Sequence, residues 1–530
     1  MMRRMAATVI LAAGFWGITA WGNASTLFFQ AERNGWQAQD TFQHCYRYLH
    51  GWLAHRDPSS GLIPRNLNRS WFWNAQDSAA DNYPFMVLAA SLLDRNLYQT
   101  TLREMLQTEI RLTNRLDNLP DDYDFASKQF VHPEIDMRRL IFGGSEYMKD
   151  GLIPLTEWLG PTEWTGRMIG IMDSIWKHAP VNTPYGKIPA GDHEVSGDQL
   201  QTLCRLYWMT GEERYKIWAF RLTDYFLLDH HPADEEKLSL DDHGCEIIGG
   251  LSEAYVLAAY TDTARRESYR APLYRLLDRI LEVAANEDGL LYMVINPREG
   301  TVLNEELTDN WGYDYNAILT AAQLDGEPRY RDAVRHVLEN VHKYLDYPWE
   351  GGGADGYADS IEGGINLLNR VTVESACEWV DQSMKILLNK QRKDGIIEGW
   401  HGDGNFTRTA LMYALWKTQG VSVHPWRPDL AIGAVRQGDD LFLSLTGDWK
   451  WFGVVKFDIP RHRAYFHMPL DYPRINQFPE WFTVDPEKTY QVTIGQQESV
   501  LIQGSKLRDG ISVQTEAGMP LWIQISQAGS

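Results

Sequence analysis

The chain has 530 residues, with 71 Asp and Glu against 50 Lys and Arg and a formal net charge of −21. So acidic a composition excludes nucleic acid as a partner, because a face for phosphates is normally basic. The four cysteines, Cys45, Cys204, Cys245 and Cys377, form no CxxC pair, which excludes a zinc ribbon or thioredoxin-like site and points to mostly buried free thiols.

Residues 1–24 read as a signal peptide. Arg3 and Arg4 precede an apolar stretch from Ala6 to Trp21, and Gly22-Asn23-Ala24 supplies small residues for a cut near Ala24. Export, to the periplasm or beyond, is therefore expected. No later segment approaches the ~20 apolar residues needed to span a bilayer, so no membrane contact is expected after cleavage.

From residue 25 to 420 helical periodicity dominates, with apolar residues recurring at three and four, as in Leu251, Ala254, Tyr255 and Ala258. It predicts helices over 37–55, 83–94, 97–116, 134–149, 161–178, 195–210, 212–228, 244–260, 265–285, 313–324, 328–345, 360–369, 373–390 and 405–418. Thr210-Gly211-Glu212 and Asp325-Gly326-Glu327 read as tight turns of one design. A loop phrase also recurs: Ser60 to Pro64, Asp150 to Pro154 and Tyr185 to Pro189, with looser copies at Asp288 to Leu291 and Asp394 to Ile397. Glycine can close a helix in the left-handed conformation and proline stops a restart, so each copy is expected to end a helix. After residue 421 short strands appear, at 441–445, 453–457, 490–494 and 521–525, separated by turn residues. Residues 421–530 are thus expected to form an antiparallel β-sandwich.

The repeated Gly-Leu-Ile-Pro loops, the Gly-Asp-Glu-Arg-Tyr-like turns, the run of helices and the appended β-domain resemble the (α/α)6-toroid, or six-hairpin glycosidase-like, superfamily of carbohydrate-active enzymes. The resemblance covers roughly residues 30 to 420 and matches no single family's motif set. It implies an (α/α)6 toroid of helical hairpins, a poly- or oligosaccharide substrate and catalytic groups on the long loops and the helix starts after them. The 21 Trp, 25 Tyr and 18 Phe suit such a substrate, because sugar C–H faces stack on aromatic rings.

Six stretches carry the candidate chemistry. Asp81 precedes an apolar helix with Pro84 in its first turn, so it is either an N-cap or a catalytic carboxylate. The resemblance implies the second, since an aspartate ahead of a similar helix is catalytic in the unsaturated glucuronyl hydrolases. Trp73, just upstream, is a candidate substrate contact. Glu194 and Asp198 lie four apart and share a helical face; neighbouring carboxylates can hold the split pKa values that acid/base work needs, and His193 beside them suits substrate binding. His243 is a base or a substrate donor, or else part of a capping box with Glu246. Around Asn310, Trp311, Tyr313, Asp314 and Tyr315, the indole and Tyr315 suit sugar subsites, Asn310 suits substrate, Asp314 adds a carboxylate, and Tyr313 suits a lyase base. Tyr357, Asp359 and Glu362 follow a triple glycine that is neither an EF-hand nor a Walker loop, with Asp359 catalytic or capping and the other two substrate-binding. Trp400 and His401, among small residues, are expected to face substrate.

No metal is expected, because no HExxH spacing exists, and no organic cofactor is suggested. The reading that follows is a secreted glycoside hydrolase using one protonated and one ionised carboxyl. Its rivals are a polysaccharide lyase using Tyr313 or His243, with Asn310 neutralising a uronic acid, a non-catalytic glycan-binding protein, and a sugar epimerase.

Overall fold

Successive long helices alternate between two burial patterns, and the alternation closes a ring. A computed structural model describes the backbone of residues 2–528 apart from Ser70 and His243, and the side chains of residues 25–528 with the same exceptions. The side chains of the predicted signal segment and the candidate base His243 therefore lie outside the described residues. The helices are α1 (Met2–Ala54), α2 (Tyr83–Leu93), α3 (Thr101–Thr113), α4 (Met137–Glu146), α5 (Glu163–Lys177), α6 (His193–Thr210), α7 (Glu213–Asp224), α8 (Cys245–Thr261), α9 (Thr263–Val283), α10 (Trp311–Asp325), α11 (Pro328–Asn340), α12 (Ala354–Leu368), α13 (Glu374–Leu388) and α14 (Asn405–Lys417). All fourteen expected helices are thus present.

Odd-numbered helices bury one stripe. In α11 it is Tyr330, Val334, Val337 and Leu338, the spacing of a single helical face. Even-numbered helices are surrounded. In α8 every residue from Cys245 to Ala258 is buried, and in α12 every residue from Gly356 to Leu368. From α4 on each even helix packs on the next, α14 returns to α2, and α2 meets the wall begun by α4 at residues 147–159. The result is the expected helical toroid, with an apolar core between its inner and outer walls. The tight turns follow the sequence reading: Gly211 and Gly326 cap α6 and α10 in the left-handed conformation, each with φ of 70°.

Two inner walls depart from simple helix. A π turn, Ala75–Asn82, leads into α2, and α4 runs through a π turn, Tyr147–Leu152, into a further helix, Ile153–Leu159. This corrects the expectation that the phrase Asp150 to Pro154 ends a helix. The other copies do turn the chain, with left-handed glycine at Gly61, Gly186, Gly289 and Gly395, whereas Gly151 has no positive φ. Pro154 is tolerated because it begins the new helical turn. Gly151 is needed for a different reason. A Cβ there would lie 2.5 Å from Pro84 Cγ and 3.1 Å from the carbonyl oxygens of Ala79 and Ala80. The two π turns therefore meet backbone to backbone. Gly151→Ala is expected to force them apart, lowering unfolding stability by about 1–3 kcal/mol in a urea titration; an unchanged midpoint would show that the contact is slack.

The C-terminal strands are β1 (Ser422–His424), β2 (Ala431–Gln437), β3 (Asp440–Thr446), β4 (Trp451–Lys456), β5 (Thr489–Ile494), β6 (Val500–Gln503), β7 (Ile511–Thr515) and β8 (Leu521–Gln527). They make two antiparallel sheets, β2-β3-β8-β5-β6 and β1-β4-β7. Leu443 and Ile523 of one sheet share a core with Val455 and Val513 of the other. Helix α1 lies on the larger sheet: Phe28 stacks on Trp522 at 4.8 Å, and Trp522 Nε1 donates to Glu32. No helix among the described residues is long and apolar enough to cross a membrane. Cys45, Cys204, Cys245 and Cys377 are all free thiols, the first three buried, as expected.

Candidate active site

The inner helices start around a cavity of about 470 Å³, which all seven inner walls help to line. Ten carboxyl groups face it against three permanent cations, Arg65, Lys149 and Arg408. Each cation is already engaged. Arg65 Nε lies 2.5 Å from Asp77 Oδ2. Arg408 pairs with Asp359, and its Nε is 2.5 Å from Glu362 Oε2. Lys149, 5% exposed, holds Asp150 Oδ1 at 2.8 Å and Glu246 Oε1 at 3.1 Å, with Asp198 Oδ1 at 3.8 Å. Burial opposes the ammonium charge, but those carboxylates outweigh it and hold Lys149 well above its usual range.

Asp81 and Asp150 lie one on each of the touching π turns, and their surroundings drive them in opposite directions. Asp81 is pushed well above the usual carboxylate range, first by burial and then by Asp150, Asp77 and Asp403, which Arg408 only partly offsets. Asp150 is pulled down. Burial works against its charge, yet Lys149, a hydrogen bond from Glu146 and another from Asn476 together win. Asn476 Nδ2 donates to Asp150 Oδ1 at 2.7 Å. Glu146 is itself pushed well up by burial and by Asp198 and Asp150, so it can donate to Asp150. Glu246 is raised to about 7, by burial against the pull of Lys149.

Two groups of donors around this floor are close enough to share one ion: Asp77, Asp81 and His401, and Glu146, Asp150 and Asp198. In the second the Lys149 ammonium already supplies the cation. In the first Asp77 is taken by Arg65, and His401 donates Nδ1–H to Gly402 O at 3.1 Å, leaving Nε2 at 3.9 and 4.0 Å from Asp77 and Asp81.

The predicted residues divide into three groups. The cavity gathers Asp81, Glu194, Tyr313, Asp359, Trp400 and His401. Trp400 stands at its lip, 65% exposed, with the Arg65 guanidinium 5.0 Å from its ring. His193 lines a neighbouring cavity of about 920 Å³, where it pairs with Glu235 at 3.1 Å; the two cavities adjoin at Phe142 and Glu194. The others are buried away from both. Trp73 is core. Trp311 donates to Ser360 and Tyr315 to the Gly289 carbonyl, so neither offers a ring to a sugar. Tyr357 donates to the Tyr347 carbonyl, and Asn310 to Asp359. Glu362 is fully buried beneath the floor and, mainly by burial, raised to about 7. Asp198 and Asp314 are fully buried and pushed well up, chiefly by burial. Tyr313 donates to Glu362 at 2.9 Å, and burial holds its hydroxyl well above its usual range, which removes it as a proton abstractor.

The capping alternatives also resolve. Asp81 sits inside the π turn, whose cap is Asn74, and Asp359 and Asp314 lie within helices. Helix α6 is capped by Asp192, and α8 begins at Gly244 with no side-chain cap, so Glu246 is free to hold Lys149. The site residues that sequence reasoning missed are Asp77, Glu146, Lys149, Asp150, Arg408 and Asn476.

Neither a protein-family model nor a curated protein matches this chain. Among solved structures it is similar to the GH76A α-1,6-mannanase from Salegentibacter sp., with 14% identity over 58% of this chain and 95% of that one and a TM-score of 0.42. It is similar also to cellobiose 2-epimerase from Bacillus thermoamylovorans, with 11% identity over 60% and 99% of the two chains and a TM-score of 0.42. A possible GH105 member from Salmonella enterica gives 11% identity, coverage of 57% and 87%, and a TM-score of 0.39.

Proposed function

We propose that this protein is a glycoside hydrolase acting on a neutral poly- or oligosaccharide. One observation carries the reading: Asp81 and Asp150 lie on adjoining π turns at one cavity, where burial and like charges push the first above the usual carboxylate range and Lys149 with two hydrogen bonds pulls the second below it. Protonated Asp81 supplies the acid for the leaving oxygen, and ionised Asp150 activates water or attacks the sugar. An excess of ten carboxyls over three engaged cations disfavours a uronic acid at the point of cleavage, which counts against elimination. The larger cavity, walled by Ile141, Phe142, Pro180 and Val181, would take further sugar units through their C–H faces. The signal-like sequence ending near Ala24 supports a reaction outside the cytoplasm.

The test is digestion of neutral and uronic glycans, read by reducing ends and ultraviolet absorbance. Reducing ends without absorbance are expected; absorbing products would overturn hydrolysis in favour of elimination. Activity should fall on both sides of its optimum. As pH falls Asp150 takes up a proton and ceases to act as base, and as pH rises Asp81 loses the proton it must give. Asp81→Asn is therefore expected to lower kcat about 100-fold and flatten the basic limb. A basic limb unchanged in that variant would assign the acid elsewhere, with Glu246 the next candidate.

A further inference from the structure

The floor of the cavity is completed by a segment that the helical ring does not supply. Between β4 and β5 the chain leaves the β-sandwich and enters the ring from the end opposite the helix starts. Arg474 Nε lies 3.2 Å from Glu157, in the helix Ile153–Leu159 that continues α4, and Tyr472 donates to Glu253 in α8 at 2.9 Å. Arg370, at the end of α12, holds Asp471 at 3.0 Å. Phe466, Met468 and Tyr472 pack on Val256, and Ile475 packs on Cys245 and Tyr313. These contacts anchor the segment without Asn476.

Asn476 sits at its tip, 1% exposed, with φ of 60°, a left-handed conformation that asparagine tolerates better than most residues. It uses three polar groups. Its backbone N–H donates to Glu362 Oε1 at 2.7 Å, its Nδ2 donates to Asp150 Oδ1 at 2.7 Å, and its Oδ1 accepts from Arg408 Nη1 at 3.0 Å. One side chain thus joins the Lys149–Asp150 cluster to the Arg408–Asp359–Glu362 cluster across the axis of the ring.

We infer that Asn476 is a positioning residue of the active site, fixing one oxygen of Asp150 and tying the two charged clusters together, so that the C-terminal part of the chain completes the catalytic pocket. The role in catalysis rests on the hydrolase reading. The groups facing Asp150 are Glu146 and Lys149 on its own segment, Asp81 across the π turns, Asp198 from α6, Glu246 from α8, and Asn476. Lys149, Glu146 and Asn476 donate to it among the described residues, so loss of the amide removes one of these donors.

Two substitutions fit the left-handed backbone. Asn476→Gly removes both side-chain bonds and keeps the N–H to Glu362. Asn476→Asp keeps the shape and replaces the donor by an acceptor. In each, kcat should fall about 10- to 100-fold with KM little changed. The acid limb of the pH profile should move up by about one unit, because Asp150 is less well held as a carboxylate. A limb that stays in place, or a kcat within twofold of the parent, overturns the inference. A second readout does not depend on activity. A carboxyl held below its unfolded value adds stability that is present above that value and lost as pH falls through the folded one. The melting temperatures of the parent and Asn476→Gly should therefore differ at neutral pH and converge in acid. A gap constant across pH would make Asn476 merely structural. If the parent cleaves no glycan the hydrolase reading fails, and the melting series still decides whether Asn476 holds Asp150.

Discussion

Asp150→Asn is expected to lower kcat about 1000-fold while the protein stays folded. The change keeps the size of the side chain and removes a carboxylate in the cavity floor that its surroundings hold down. Lys149 keeps two acidic neighbours, Glu246 and Asp198, so its charge is not stranded. Circular dichroism and the unfolding midpoint should move little by comparison with activity. The pH dependence adds a sign check. Asp150 raises both Asp81 and Glu246 through like-charge repulsion, so its removal should lower both and carry the basic limb of any residual activity to lower pH. Full activity in this variant would remove Asp150 from the mechanism.

The largest expected loss of stability is at Arg205, 1% exposed on α6. Its guanidinium holds Glu253 at 2.7 Å and Glu157 at 3.3 Å, and both carboxylates also meet the inserted segment, through Tyr472 and Arg474. Arg205→Met keeps the volume and leaves two buried acids short of a counter-charge, which should cost about 3–5 kcal/mol in urea unfolding. Adding Glu253→Gln should recover part of the loss, since the penalty lies in the uncompensated charge rather than in the absence of a pair. A pair such as Arg298 and Glu236, 56% and 78% exposed, should be worth less than about 1 kcal/mol by the same measurement. If Arg205→Met unfolds like the parent, the network does not weld the segment to the ring.

The helices were legible because the chain states them twice, in periodicity and in turn chemistry. Val334, Val337 and Leu338 mark one face of α11, and Gly211 and Gly326 mark the ends of α6 and α10. The strands at 441–445, 453–457, 490–494 and 521–525 all fall on observed strands or reach one residue past them. The site was legible only where polarity and a helix start coincide, as at Asp81, Glu194 and Asp359. Asp150 was hidden because its phrase imitates four true loops. Its signal was the lysine beside it, since Lys149 in an otherwise apolar inner wall requires acids around it. Aromatic residues misled for a related reason. Trp73, Trp311 and Tyr315 stand in polar sequence, yet Trp311 and Tyr315 belong to a wall surrounded on all sides and Trp73 lies buried in a strand ahead of the first π turn, and composition does not say which side a ring faces. Asn476 left a fainter trace: a long stretch without strand alternation inside a β-domain of short turns, the kind of loop that usually has work to do.

Hydrolysis itself is tested most directly by digesting a neutral glycan panel in water enriched in oxygen-18 and weighing the products. One heavy oxygen at each new reducing end, absent with Asp150→Asn, is the predicted result. Products without added oxygen, whether unsaturated or merely isomerised, would contradict hydrolysis by Asp81 and Asp150.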